Sequence, residues 1–444
     1  MITNEMFDRK GLEIVITSEK TTVDEYGRRF SLRIDYVGAA VSEYDIPEET
    51  CDCPGDPYCL CRIASPVPDD LNSTAVFGAE ARNGELWLGY MTVLRMKDPG
   101  FLKNGMRLVY TVPDDKRVLG TDITVSVEND IVFTRRLDAP GTYEEIIDIS
   151  GAGKEVIDYL NDAHRLQKKL LEEWIGYCAE NGIDYQLVCG AALGAFREGD
   201  MVPWDDDIDV AVTREDFDRM ISLGEWADET EEGFVLVRPE DMGDDVFLDG
   251  MTRLVYTKQK LESSLLENLP EEAGGMLRDR ASLDIYIIEK GFNCYVLHKL
   301  QTAALKAIYG MEMAYRGKFD EETYRHTHSK RDVEMVKFLM RVGGRIPLPK
   351  LRKLYDRVSR LKRSGGAKYC FFSNGYIGSI DRRFERAWFG KGRKAKFGDL
   401  DVTIPEEIEK YLAAQYGDYM GLPNGWSRKP GHFRPKVDRA RGEK

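Results

Sequence analysis

The spacing of hydrophobic positions changes near residue 150 of this 444-residue chain. Upstream, apolar and β-branched residues alternate or cluster in short runs. These are Leu12 to Thr17, Arg29 to Tyr36, Glu85 to Val93, Met106 to Val112, Thr121 to Val127 and Ile131 to Arg136. Strand side chains point to alternate faces, so such runs predict strands, and the Asp, Gly and Pro between them predict turns. DDLNS at 69–73 and DAPGTYEE at 138–145 read as loops. Residues 1–150 are expected to form an all-β, sandwich-like accessory domain. Downstream, Val156, Leu160, Ala163, Leu166, Leu170, Trp174, Ile175 and Cys178 recur at intervals of three and four. That period predicts an amphipathic helix of six or seven turns ending near Asn181-Gly182.

Further along, the pattern predicts a strand over Tyr185 to Val188, a short helix over Gly190 to Phe196 and a loop from Arg197 to Val202. A strand follows over Ile208 to Val212, then a helix from Arg214 to Trp226. Phe234 to Arg238, Thr252 to Thr257 and Ser282 to Ile288 read as strands, and His298 to Tyr315 and Val333 to Val342 as helices. Basic runs stand out at 350–368 and 391–396, and the tail from Gly392 reads as loops with one helix, Glu406 to Tyr416. Strands mixed with helices make residues 151–444 an α+β domain with a mixed sheet and flanking helices.

The length supports two domains, and 42% hydrophobic with 32% charged residues is a globular composition. No apolar run approaches the roughly 20 residues of a membrane span. The start, MITNEMFDRKGLEIVI, lacks the basic and apolar segments of a secretory signal. The expectation is a cytoplasmic protein, with peripheral attachment to the inner face of a membrane left open. A net charge of −14 argues against nucleic acid as partner. Cys51, Cys53, Cys59 and Cys61 share one short loop, CDCPGDPYCLC. Four thiolates there could hold a structural Zn2+, with free thiols or a disulfide pair as alternatives. Cys178, Cys189, Cys294 and Cys370 read as packing residues in apolar surroundings.

The chemistry concentrates in VPWDDDIDVAV, residues 202–212. A period of two puts Asp207 and Asp209 on one strand face, where their mutual repulsion is ordinarily offset by a divalent cation such as Mg2+ or Mn2+. Asp284, inside the apolar strand SLDIYII, is the candidate third carboxylate, since a lone buried Asp costs several kcal/mol unless paired or metal-bound. A bend or a sheet edge is its alternative placement. Asp205 and Asp206, just before the strand, are candidates for a general base or a solvated turn. The helix starting at Cys189-Gly190 can offer N–H groups to a phosphate. Arg197 and Arg253 are candidate phosphate clamps, and Trp204 a lid or a cation-binding ring. Metal beside phosphate suggests phosphoryl or nucleotidyl transfer.

GAALGAFREGDMVPWDDDIDVAV resembles the signature of the LicD family, the phosphocholine transferases related to fukutin and fukutin-related protein. The matching positions are Gly190, Ala191, Ala192, Leu193, Gly194, Ala195, Phe196, Arg197, Pro203, Trp204 and Asp205 to Asp209. Asp284 in LDIYII, the stretch 397–423, and Arg428 with His432 resemble later family motifs, so the likeness spans about 165 to 435. It implies a nucleotidyltransferase-like fold, Asp207, Asp209 and Asp284 as Mg2+ ligands, and Gly190 at the start of a donor-phosphate loop. It also implies a CDP-linked donor, CDP-choline in the best-known branch, and a glycan or lipid-linked glycan acceptor, with CMP released. Ala191 departs from the family's hydroxyl residue, which predicts an altered donor fit rather than lost activity. A choline head group would need aromatic neighbours, for which Trp204, Tyr376, Trp388, Phe389, Tyr416, Tyr419 and Met420 are available. Transfer of ribitol, glycerol or ethanolamine phosphate, an NTP-dependent nucleotidyltransferase, and an inactive glycan-binding protein are the other readings.

Overall fold

The computed structural model describes residues 12–22, 33–39, 81–82, 85–96, 106–112, 114, 119–120, 122–127, 130–148, 154–241, 249–261, 280–316, 330–362, 366–421 and 430–431. The cysteine cluster Cys51, Cys53, Cys59 and Cys61, the loop 69–73, and Arg428 and His432 lie outside them.

Every described element before Lys154 is a strand. These are β1 (Leu12–Thr22), β2 (Arg33–Ala39), β3 (Ala81–Arg82), β4 (Glu85–Met96), β5 (Met106–Val112), β6 (Asp122–Val127), β7 (Asp130–Arg136) and β8 (Gly141–Ile147). They form two antiparallel sheets, ordered β3-β4-β1-β6-β7 and β2-β5-β8. Strand β8 replaces the loop expected at 138–145. Its exposed Gly141, Thr142 and Glu144 lie on an edge with little to bury, so its apolar signal is weak.

Helix α1 (Lys154–Asn181) follows the expected stripe, burying Leu160, Ala163, Leu166, Leu170 and Trp174. It stops at Gly182, whose φ of +60° suits glycine. Beyond it come β9 (Tyr185–Leu187), α2 (Cys189–Arg197), β10 (Ile208–Thr213), α3 (Arg214–Leu223), β11 (Phe234–Val237), β12 (Thr252–Tyr256) and β13 (Ala281–Gly291). Thr213 caps α3 by accepting from the Asp216 N–H at 3.2 Å, and Gly224 in the left-handed region ends it. The rest is α4 (Tyr295–Glu312), α5 (Lys330–Gly343), α6 (Leu348–Ser359), β14 (Tyr369–Phe372), β15 (Phe384–Glu385), β16 (Arg393–Phe397), β17 (Leu400–Ile404) and α7 (Ile408–Tyr416). Part of the basic run at 350–368 is thus helix α6, and the tail after Gly392 contains the β16–β17 hairpin. Cys294 is exposed at the start of α4, unlike the packing role expected for it.

The second half is a mixed α/β structure. Its seven-stranded sheet runs β11-β12-β13-β10-β9, with β14 and β15 added beside β13. Strands β10 and β13 are parallel neighbours, and β12, β14 and β9 pair antiparallel. On β13 burial alternates strictly, with Leu283, Ile285 and Ile287 inside and Asp284 and Tyr286 on the more open face. Helix α1 lies against this sheet, fixed by Gln167, whose Nε2 donates to the carbonyls of Ser282 at 2.9 Å and Asp206 at 3.2 Å. No described helix is long and apolar enough to cross a membrane.

Candidate active site

The acidic residues meet at the pair β10–β13. Asp209 lies directly opposite Asp284 on the parallel strand, and Arg253 of β12 lies opposite Asp284 on its other side. Asp284 therefore stands mid-sheet, neither at a bend nor at an edge. Asp207 precedes β10 by one residue, two positions from Asp209. The nearest convergence of oxygens sits one step upstream: the carboxylates of Asp205, Asp206 and Asp207 all approach within 4.8 Å of one another. A recess of about 40 Å³ is bordered by Tyr159, Asp206, Asp207, Arg253, Arg280 and Asp284.

Burial, reinforced by the charges of Asp207, Asp284 and Asp205, pushes the Asp209 carboxyl well above the usual carboxylate range. Tyr286, two residues after Asp284, feels the same field. The charge of Asp209, then burial, then Cys189, Asp284 and Asp207 raise its hydroxyl pKa. Desolvation, followed by Cys189, Asp205, Asp209 and Asp207, does the same to Tyr416 at the end of α7. Tyr286 and Tyr159 carried no signal in the sequence, because an ordinary core tyrosine has the same apolar spacing.

Each flanking residue has an assigned geometry. Gly190 is required by proximity: a Cβ there would lie 1.9 Å from Asp205 Oδ2. The start of α2 thus has a carboxylate beside it, while its first helical bond runs from Ala192 N–H to the Val188 carbonyl at 3.0 Å. Cys189 holds a left-handed φ of +49°, stabilised by its N–H donating to the Tyr411 hydroxyl at 3.0 Å. Ala191 is buried in the core, and Gly194 lets α2 approach the backbone at Asp200 and Val202. Asp206 accepts from the Tyr159 hydroxyl at 2.8 Å and from the Gly431 N–H at 2.9 Å. His164 Nε2 lies 2.7 Å from the Asp205 carbonyl, and burial lowers its pKa.

The two expected phosphate clamps have other partners. Arg253 Nε donates to Asp284 Oδ1 at 3.1 Å, and its Nη atoms donate to both oxygens of Asp249 at 2.8 and 3.1 Å. Arg197 donates from Nη1 to the Tyr419 carbonyl at 3.0 Å and from Nε to Glu198 at 2.6 Å, with its guanidinium 5.9 Å from the Trp204 ring. Both arginines position protein groups. Trp388 is half-buried and packs on Phe384, and Phe389 is buried in the core, away from a head group.

The donor type suits a hard divalent cation: the carboxylates that converge are those of Asp205, Asp206 and Asp207 rather than the expected set Asp207, Asp209 and Asp284, while Asp209 is buried among like charges and the guanidinium beside Asp284 is shared with Asp249.

The family described as LicD/FKTN/FKRP, nucleotidyltransferase domain, matches residues 182–252. The lipopolysaccharide cholinephosphotransferase LicD of Haemophilus influenzae is 34% identical over 271 residues, covering 60% of this chain and 92% of that relative. The chain belongs to the LicD family.

Proposed function

We propose that this LicD-family transferase moves phosphocholine from CDP-choline to a hydroxyl of a surface glycan or its lipid-linked precursor. The carrying observation is the cross-strand row Asp209–Asp284–Arg253 beside Asp207, in a relative of a lipopolysaccharide cholinephosphotransferase. In the reaction the acceptor oxygen bonds to the β-phosphorus and the bridge to the α-phosphate breaks. CMP leaves, and the hydroxyl proton passes to the Asp205–Asp207 cluster. Asp207, Asp209 and Asp284 would hold Mg2+ or Mn2+, which supplies neutralisation of the diphosphate charge.

The chain's own groups supply position. Arg253 fixes the Asp284 carboxylate and keeps it from rotating away from Asp209. Tyr159 and the Gly431 N–H hold Asp206, so the loop before β10 has a defined course. Burial and the charges of the acids together raise the hydroxyl pKa of Tyr416, and the charge of Asp209 with burial that of Tyr286; a negative field there favours a quaternary ammonium. The nucleotidyltransferase-type fold, the division near residue 150 and a cytoplasmic location belong to this same reading. A structural zinc at the cysteine loop is a separate proposal, tested by metal content before and after chelation.

Incubation of the full chain with CDP-choline, Mg2+ and glycan acceptors should release CMP. Asp209→Asn should lower that release by about 100-fold or more at an unchanged melting temperature. CMP released only from CDP-ribitol, CDP-glycerol or CDP-ethanolamine would replace choline as the cargo. No CMP from any of these donors would overturn the transferase reading.

A further inference from the structure

The strongest uncommitted feature is a basic surface on an acidic chain. Residues 330–362 contain 11 Lys and Arg against 3 Asp and Glu, whereas the whole chain carries −14. Some of these cations are used internally: Arg352 is buried, and Arg360 bridges Asp218 and Asp356. Arg331, Arg341, Arg345, Lys350, Lys353 and Arg357 are exposed and form no ion pair among the described residues.

The exposed positions of α6 are Lys350, Lys353, Leu354 and Arg357, with Leu361 just beyond its end. Offsets of three, four, seven and eleven place them on one helix face. That face holds cations and leucines and no acid. On α5, Met335 and Phe338 are 51% and 61% exposed, and by the same spacing they share a face with Arg331, Arg341 and one acid, Glu334, which is paired with Lys337. Both helices pack on α4, joined by the link from Gly344 to Pro347.

We propose that the outer faces of α5 and α6 dock this protein on an anionic lipid bilayer. Cations attract the headgroups, and Leu354, Leu361, Met335 and Phe338 enter the boundary beneath them. A nucleic acid would match the charge and leave the apolar side chains in water. A second copy of this acidic chain would supply opposite charge, but the exposed leucines need an apolar counterpart that a bilayer provides everywhere. The inference deepens the proposed function, since a membrane-held acceptor would then be met at the surface where it resides.

Co-sedimentation with vesicles tests it without any donor or acceptor, so its outcome is independent of the transfer reaction. The full chain should bind vesicles containing phosphatidylglycerol and release them as salt is raised, while pure phosphatidylcholine should not retain it. The triple variant Lys350→Glu, Lys353→Glu, Arg357→Glu should bind at least about tenfold more weakly. Leu354→Ser with Phe338→Ser should weaken binding and leave its salt dependence intact. An unchanged melting temperature keeps either result from being ascribed to misfolding. Absence of wild-type binding to the phosphatidylglycerol vesicles, undiminished binding of the triple variant, or equal retention on a soluble RNA or through self-association would each overturn the proposal.

Discussion

Gly190 shows how one residue sets the geometry of the acids. Its missing Cβ is the space taken by the Asp205 carboxylate, at 1.9 Å from where that carbon would lie. Gly190→Ala should gain helix propensity of under about 1 kcal/mol, yet lose about 1–3 kcal/mol to overpacking. Urea unfolding should show a net loss, and adding Asp205→Ala should restore most of it. If the double variant stays as unstable as the single one, the contact is not the cause. Asp209 stood out because it sits inside an apolar strand, and Asp284 for the same reason, and the fold sets the two opposite each other. The protein partners of the arginines were not legible. Arg253 and Arg197 looked like phosphate clamps by position, but their hydrogen bonds go to Asp284, Asp249, Glu198 and Tyr419. Residue type names a donor; only folded neighbours name its acceptor.

At the scale of elements, legibility followed burial. Helix α1 and strand β13 bury one face against the core and carry clean periods. Strand β8 is an edge element with exposed Thr142 and Glu144, and β16 exposes Arg393 and Lys394, so their period was obscured. Helix α6 was hidden by its own cations, although Leu348, Leu351, Tyr355 and Val358 repeat at helical spacing. The packing of α4 and α5 depends on two glycines. A Cβ on Gly343 would lie 2.1 Å from the Met311 carbonyl oxygen, and one on Gly310 would lie 2.8 Å from a Leu339 methyl. Backbone cannot move aside as a leucine rotamer can. Gly343→Ala should therefore cost about 1–3 kcal/mol in denaturant unfolding, and Gly310→Ala distinctly less. Equal stabilities for the two variants would contradict the close approach of the helix backbones.

Across the whole molecule, a titrating contact joins α4 to α6. Glu312 is buried beside Arg352, and burial pushes its pKa from 4.5 up to about 7 against the opposing effect of that arginine. Between those values the folded chain holds a proton that the unfolded chain has released. This group's contribution is therefore fully present below pH 4.5 and declines as pH rises toward 7. Its size is on the order of 3 kcal/mol. Replacement by a neutral isostere removes the effect, so wild type minus Glu312→Gln stability should fall between pH 5 and pH 8. A flat difference across that range would show that Glu312 titrates normally.

The amino-acid sequence alone determined the periodic elements, the acidic strand and the family signature, because each depends on residues within a turn or two of one another. Tertiary structure decided which charges meet. Gly431 reaches Asp206 across 225 positions, and Tyr411 reaches Cys189 across 222. A hydrogen bond needs its atoms within about 3 Å, and at such separations only the packing of helices on the sheet sets that distance.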